Sequence, residues 1–113
     1  MEERRGFVRV VSELRLRYRV LDEGPPKDSS AHDVCGGGLR LITNEKIDEG
    51  RILKFDMEVP GSQRAVAAEA RVVWSEDMDG GCWEVGTEFT RIEPRDQAKI
   101  LKYVYSASKG GAG

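Results

Sequence analysis

The chain has 113 residues, of which 39% are hydrophobic and 34% charged, with 13 glycines and a formal net charge of -2. That size supports one globular domain with a core of its own, and the composition excludes a disordered chain. The acidic balance excludes a general nucleic-acid binder, but it leaves room for a local cationic cluster that holds one small anion.

The chain opens MEERRGFVRV, with Arg4, Arg5 and Arg9 crowded at its start. Taken alone, such a run is most simply solvated charge at a terminus. Residues 14 to 20, LRLRYRV, alternate Leu14, Leu16, Tyr18 and Val20 with Arg15, Arg17 and Arg19. A period of two marks a half-buried strand whose arginines face solvent. The segment 22 to 30, DEGPPKDSS, is rich in turn formers and predicts a loop. Residues 31 to 43, AHDVCGGGLRLIT, read as strand at both ends with three glycines between. Such a triplet marks a turn or bulge, or a place where something approaches the backbone closely.

Alternation returns at 52 to 59, where Leu53, Phe55, Met57 and Val59 share a face. PGSQ at 60 to 63 is a turn. Over 64 to 74 the inward face carries Val66, Ala68, Ala70, Val72 and Trp74. Arg71 points outward, where a phosphate contact is open to it. A turn at 75 to 81 leads to 82 to 90, with Trp83, Val85, Thr87 and Phe89 on one face. The three aromatics Trp74, Trp83 and Phe89 are expected to pack rather than to stack on a ligand. The period then changes. Pro94 suits the first turn of a helix. Ala98, Leu101, Val104 and Tyr105, with Ile100 beside them, recur at helical spacing and predict a helix over 94 to 106. The remaining SKGGAG has no reason to be ordered. Short alternating strands closed by one helix predict an antiparallel barrel or sandwich, with the helix covering an open end.

Two cysteines, Cys35 and Cys82, and the single histidine, His32, make neither a zinc site nor a disulfide framework. No signal peptide and no apolar run of spanning length is present, so a reducing cytoplasm without membrane insertion is expected. No nucleophile stands near a base, and no enzyme activity is expected. There is no P-loop and no dinucleotide fingerprint.

Two motifs break the strand pattern: RRGFVR at 4 to 9 and DVCGGG at 33 to 38. Arginine suits bidentate recognition of phosphate oxygens and of the guanine O6/N7 edge. Aspartate accepts from the guanine N1–H and exocyclic amine, and glycines leave backbone polar groups bare. Together they make a receptor for an anionic guanine nucleotide.

These residues resemble the PilZ domain, a bacterial receptor for cyclic di-GMP whose signatures are RxxxR and, downstream, [D/N]xSxxG. Arg5-Gly-Phe-Val-Arg9 and Asp33-Val-Cys35-Gly-Gly37-Gly38 stand in that order. The resemblance runs from about residue 3 to residue 106 and includes ARVVW at 70 to 74 and VGTEFTRIEPRDQAKI at 85 to 100. It implies an all-β fold in the main: a six-stranded antiparallel barrel with one C-terminal helix over 10 to 106. It also implies a flexible arm at 1 to 9 that closes over the ligand, and a disordered tail at 107 to 113. Arg5 and Arg9 would hold phosphates and Hoogsteen edges, Arg4 would add charge or stack, and Asp33 would take the Watson–Crick edge. Gly37 and Gly38 would admit the base, as a monomer or an intercalated dimer of ligand. Cys35 departs from the family's serine. A thiol is the weaker hydrogen-bonding group, and losing one neutral bond costs about 0.5–1.5 kcal/mol.

The implied function is a cytoplasmic, non-enzymatic receptor that changes shape on binding cyclic di-GMP. It signals to an unidentified protein controlling motility, surface attachment or exopolysaccharide, with no metal and no DNA or RNA partner. The alternative is a PilZ-like adaptor that binds protein and no nucleotide.

Overall fold

The computed structural model describes residues 13 to 21 and 23 to 112. The arm carrying Arg4, Arg5 and Arg9 lies outside the described residues. The described residues form six strands and one helix: β1 Leu14–Val20, β2 Glu23–Cys35, β3 Gly38–Thr43, β4 Ile52–Met57, β5 Val66–Asp77, β6 Trp83–Arg91 and α1 Pro94–Ala112. All pairings are antiparallel, and the ring closes in the order β1-β2-β3-β6-β5-β4. Closure removes every free strand edge. The six-stranded barrel with one C-terminal helix that the resemblance implies is therefore the fold observed.

Alternation sets the interior. Leu14, Leu16 and Tyr18 of β1, Leu53, Phe55 and Met57 of β4, and Val66, Ala68, Ala70 and Val72 of β5 are all buried. Their intervening charged residues face out. Leu41, Val85 and Val34 complete the centre. Each buried Leu, Val, Phe or Met among them contributes about 1.5–3 kcal/mol by leaving water. At one end, Tyr18 donates its hydroxyl to Glu45 (2.9 Å), which also holds Lys27 (2.7 Å). Burial, then the Glu45 contact, pushes the Tyr18 phenol above the ordinary tyrosine range. The Lys27 ammonium holds the Glu45 carboxyl below the ordinary glutamate range against some desolvation.

Of the loop expected at 22 to 30, residues 23 to 30 are instead the first part of β2, paired with β1 from Leu14↔Ala31 to Val20↔Glu23. Its residues up to Asp28 are exposed, so no alternation marks them as strand. Pairing with β1 decides their conformation. Pro25 and Pro26 fall in the register shift between Tyr18 and Val20, where a missing N–H is tolerated.

The helix also differs. Its buried stripe is Ile100 and Val104, with Tyr103 and Ala107 packed beside them. Leu101 and Tyr105 are exposed at 41% and 61%. Two overlapping stripes lie one residue apart, and only docking against the barrel selects between them. The helix continues past the expected end at 106 to Ala112, through the segment expected to lack order. Apolar spacing marks only the turns that pack, whereas helical hydrogen bonding extends one residue at a time until something stops it.

Candidate functional site

The sequence DVCGGG forms the tip of the β2–β3 hairpin. Cys35 pairs with Gly38, and Gly36-Gly37 make the turn. Between His32 and Cys35 the register shifts, so β2 carries a bulge at Asp33 and Val34. Asp33 takes φ of 54° there, the left-handed region that aspartate tolerates better than most residues. The bulge turns the Asp33 side chain aside from the simple alternation and buries it, at 3% exposure.

Arg40 meets this carboxylate. Its Nη2 forms an ion pair with Asp33 Oδ2, and its Nη1 reaches Glu84 Oε2 at 3.2 Å. The Nε is buried without a hydrogen-bond partner among the described residues. Sequence reading missed Arg40. Its outward position was legible from the Leu39–Leu41 alternation, but its partner was not, because the bulge at Asp33 sets that contact.

Cys35 keeps the local role of a small polar side chain in a turn. The Gly37 N–H donates to its Sγ at 3.4 Å. The Gly37 carbonyl accepts from the Phe89 N–H at 2.8 Å, tying the loop to β6. Gly38 has a packing reason of its own. A Cβ there would stand 2.1 Å from the Thr87 carbonyl oxygen, so the missing side chain admits the β6 backbone. Thr87 also donates its hydroxyl to the Leu39 carbonyl at 2.9 Å. From the helix, Gln97 donates Nε2–H to the Gly36 carbonyl at 2.9 Å. The tip of the loop is thus fastened to both β6 and α1. Gln97 lies outside the apolar stripe, so periodicity carried no signal for it.

Trp74 does not face the core. Val72 pairs with Thr87, but Trp74 pairs with Gly86, so Val73 is an extra residue that flips the face of β5. A Cβ on Gly86 would stand 2.2 Å from the Trp74 indole, which therefore covers Gly86 on the outside of the barrel. Gly86 pairs on its other side with Arg40, and Arg40 with His32. His32, Arg40, Gly86 and Trp74 thus form one outward row beside Asp33. Trp83 and Phe89 pack against the core as expected. Arg71, which was open to a phosphate contact, is paired with Glu88 at 3.1 Å.

Among the described residues, no group of three or more metal-ligating side chains occurs, and no helix is long and apolar enough to cross a membrane. Cys35 and Cys82 are free thiols.

The fold has solved counterparts. Bacillus subtilis inhibitor of motility, MotI/DgrA, superimposes with a TM-score of 0.79 at 17% identity, covering 92% of this chain and 51% of that one. K. pneumonia MrkH gives 0.71 at 15% identity, covering 93% and 48%. The PilZ domain of YcgR from Escherichia coli, solved with c-di-GMP, gives 0.65 at 13% identity, covering 93% and 90%. The chain thus spans about half the length of MotI and of MrkH. No curated protein sequence matches it. The PilZ domain family model matches residues 3–106, nearly the whole chain, and this protein belongs to that family.

Proposed function

We propose that this chain is a cyclic di-GMP receptor whose bound state is read by a partner protein. One observation carries the reading. The hairpin tip presents a carboxylate, Asp33, set in place by a bulge and held by Arg40, beside an outward row ending in Trp74. A guanine needs an acceptor for its N1–H and amine, and Asp33 supplies it. Arg5 and Arg9 supply the phosphate and Hoogsteen contacts, with Arg4 adding charge. Their motif ends five residues before Leu14. That is a reach of at most about 18 Å, and Leu14 pairs with Ala31, two residues from Asp33. Gly37 and Gly38 shape the loop that faces the base, and Cys35 holds its turn. The YcgR PilZ domain, of the same fold, was solved with this nucleotide.

Binding acts on more than the loop. Gln97 links Gly36 to α1, so a shift of the hairpin tip moves a hydrogen bond on the helix. Ordering of the arm and displacement of α1 are the two surface changes a cytoplasmic partner reads, in motility, surface attachment or exopolysaccharide export. No residue of the site performs catalysis in this scheme.

A second reading, an adaptor without nucleotide, draws on the same ion pair. Asp33 is already neutralised by Arg40 and almost wholly buried, so a guanine must compete for it. Calorimetry with cyclic di-GMP separates the two. The receptor predicts binding by the wild type and severe loss in Arg5→Ala, Arg9→Ala and Asp33→Ala. No heat at high micromolar ligand selects the adaptor, and equal binding by the arginine variants refutes the site assignment.

A further inference from the structure

A groove of about 640 Å³ lies on the outer face of β1, β4 and β5, walled by the first turns of α1. None of its lining residues belongs to the hairpin tip. In the closed ring β4 stands three strands from β3 in either direction, so the floor of this groove lies across the barrel from the β2–β3 hairpin. The helix α1 touches both, with Gln97 bonded to Gly36 and Arg95, Asp96 and Lys99 on the groove. Seven cationic and four acidic side chains line it, on a chain whose net charge is -2.

Some of that charge is internally satisfied. Arg17 pairs with Asp28, Arg95 with Glu93 and Lys99 with Asp96. Arg19, Lys54, Arg64 and Arg91 form no ion pair among the described residues. Arg19 and Lys54 are moreover direct cross-strand partners. Like charges directly opposite destabilise a sheet, and neither residue contributes to the core in return. Across the barrel the register continues Lys54↔Glu69 and Glu69↔Arg91. One row of outward side chains therefore reads Arg19, Lys54, Glu69, Arg91.

We propose that this groove docks an extended acidic segment of a partner protein, with acids at positions i and i+4 and a basic or hydroxyl residue at i+2. Neighbouring strands are about 4.8 Å apart, which sets Arg19 and Arg91 roughly 14 Å from each other. Same-side residues of an extended peptide repeat every ~6.6–7 Å, so i and i+4 span about 13 Å. The acid at i meets the Arg19–Lys54 pair, the residue at i+2 meets Glu69, and the acid at i+4 meets Arg91. Ala65 and Ala67 leave the floor low enough for a backbone to lie down. Glu69 and Asp56 within the same floor repel a dense polyphosphate, whereas spaced carboxylates avoid them. The closed barrel offers no strand edge, so recognition is through side chains. The proposal goes beyond the nucleotide reading and does not depend on it.

The test uses the full chain in an NMR titration with a twelve-residue peptide carrying Glu-Ser-Lys-Ser-Glu. Shifts are expected at Arg19, Lys54, Glu69 and Arg91, and the glutamine counterpart of the peptide should produce none. Arg19→Glu turns the like-charge pair into an opposite one, so the fold is kept, and peptide binding should weaken roughly tenfold. Arg91→Gln should weaken it by a smaller factor. Asp33→Ala should leave it unchanged, which separates this site from the nucleotide site. No shifts, shifts scattered elsewhere, or an Arg19→Glu variant that binds equally well would overturn the proposal. So would tighter binding of inorganic triphosphate, or of vesicles of equal parts phosphatidylglycerol and phosphatidylcholine, at the same residues.

Discussion

Gly38→Ala separates two reasons for a glycine at the hairpin tip. If Gly38 only admits a ligand, a methyl group there costs affinity and leaves stability alone. The structure gives the position a second duty. A Cβ would stand 2.1 Å from the Thr87 carbonyl oxygen, where ordinary contact begins at 3.4 Å. The obstacle is backbone, so the strands must part by more than an ångström. Two hydrogen bonds bridge that gap: Thr87 to the Leu39 carbonyl at 2.9 Å and Phe89 N–H to the Gly37 carbonyl at 2.8 Å. An ångström of separation takes both beyond useful range. Losing them costs about 1 kcal/mol each, and overpacking adds about 1–3 kcal/mol. The sum is about 3–5 kcal/mol, and at roughly 4 °C per kcal/mol for a domain of this size Tm should fall by about 12–20 °C. Thermal unfolding followed by circular dichroism measures this directly. A fall of less than about 4 °C would refute the packing argument and return Gly38 to a purely ligand-facing role.

Three further outcomes follow from the same geometry. Cys35→Ser replaces a weak acceptor of the Gly37 N–H by a strong one. Calorimetry should show cyclic di-GMP affinity unchanged or raised, by up to roughly twelvefold, and a large loss would give the thiol a role of its own. Arg40→Gln removes the guanidinium that pairs with the buried Asp33 carboxylate. Urea unfolding should show a loss of about 1–3 kcal/mol, below the value for a fully buried pair because Arg40 is 36% exposed. Glu45 has its carboxyl lowered, chiefly by Lys27, so its contribution is present above the ordinary glutamate value of 4.5 and is lost as pH falls through the lowered folded value. Glu45→Gln should therefore melt below wild type at pH 7, by a modest margin for so exposed a pair, with the difference closing in acid as the Glu45 carboxyl protonates. A difference independent of pH would exclude the Lys27–Glu45 interaction as its source.

The sequence by itself determined the parts of the fold where one face is wet and the other dry. Leu14 to Tyr18, Leu53 to Met57 and Val66 to Val72 alternate because burial on one side admits no other order, and a closed barrel is the way six such strands hide their edges. The family resemblance carried by RxxxR and DVCGGG was legible as well, and the PilZ family model matches residues 3–106. Three things were decided only by tertiary structure. The first half of β2 has no alternation to read, since solvent surrounds it, and its conformation comes from pairing with β1. The side of the barrel on which Trp74 lies depends on a single extra residue, Val73, which reverses every face after it. The Asp33–Arg40 pair joins residues on two strands across a bulge, and a bulge follows from the whole ladder rather than from any local propensity. Periodicity is a local quantity set by burial. Register is a long-range one, set by how all six strands close, and the candidate site was built from register.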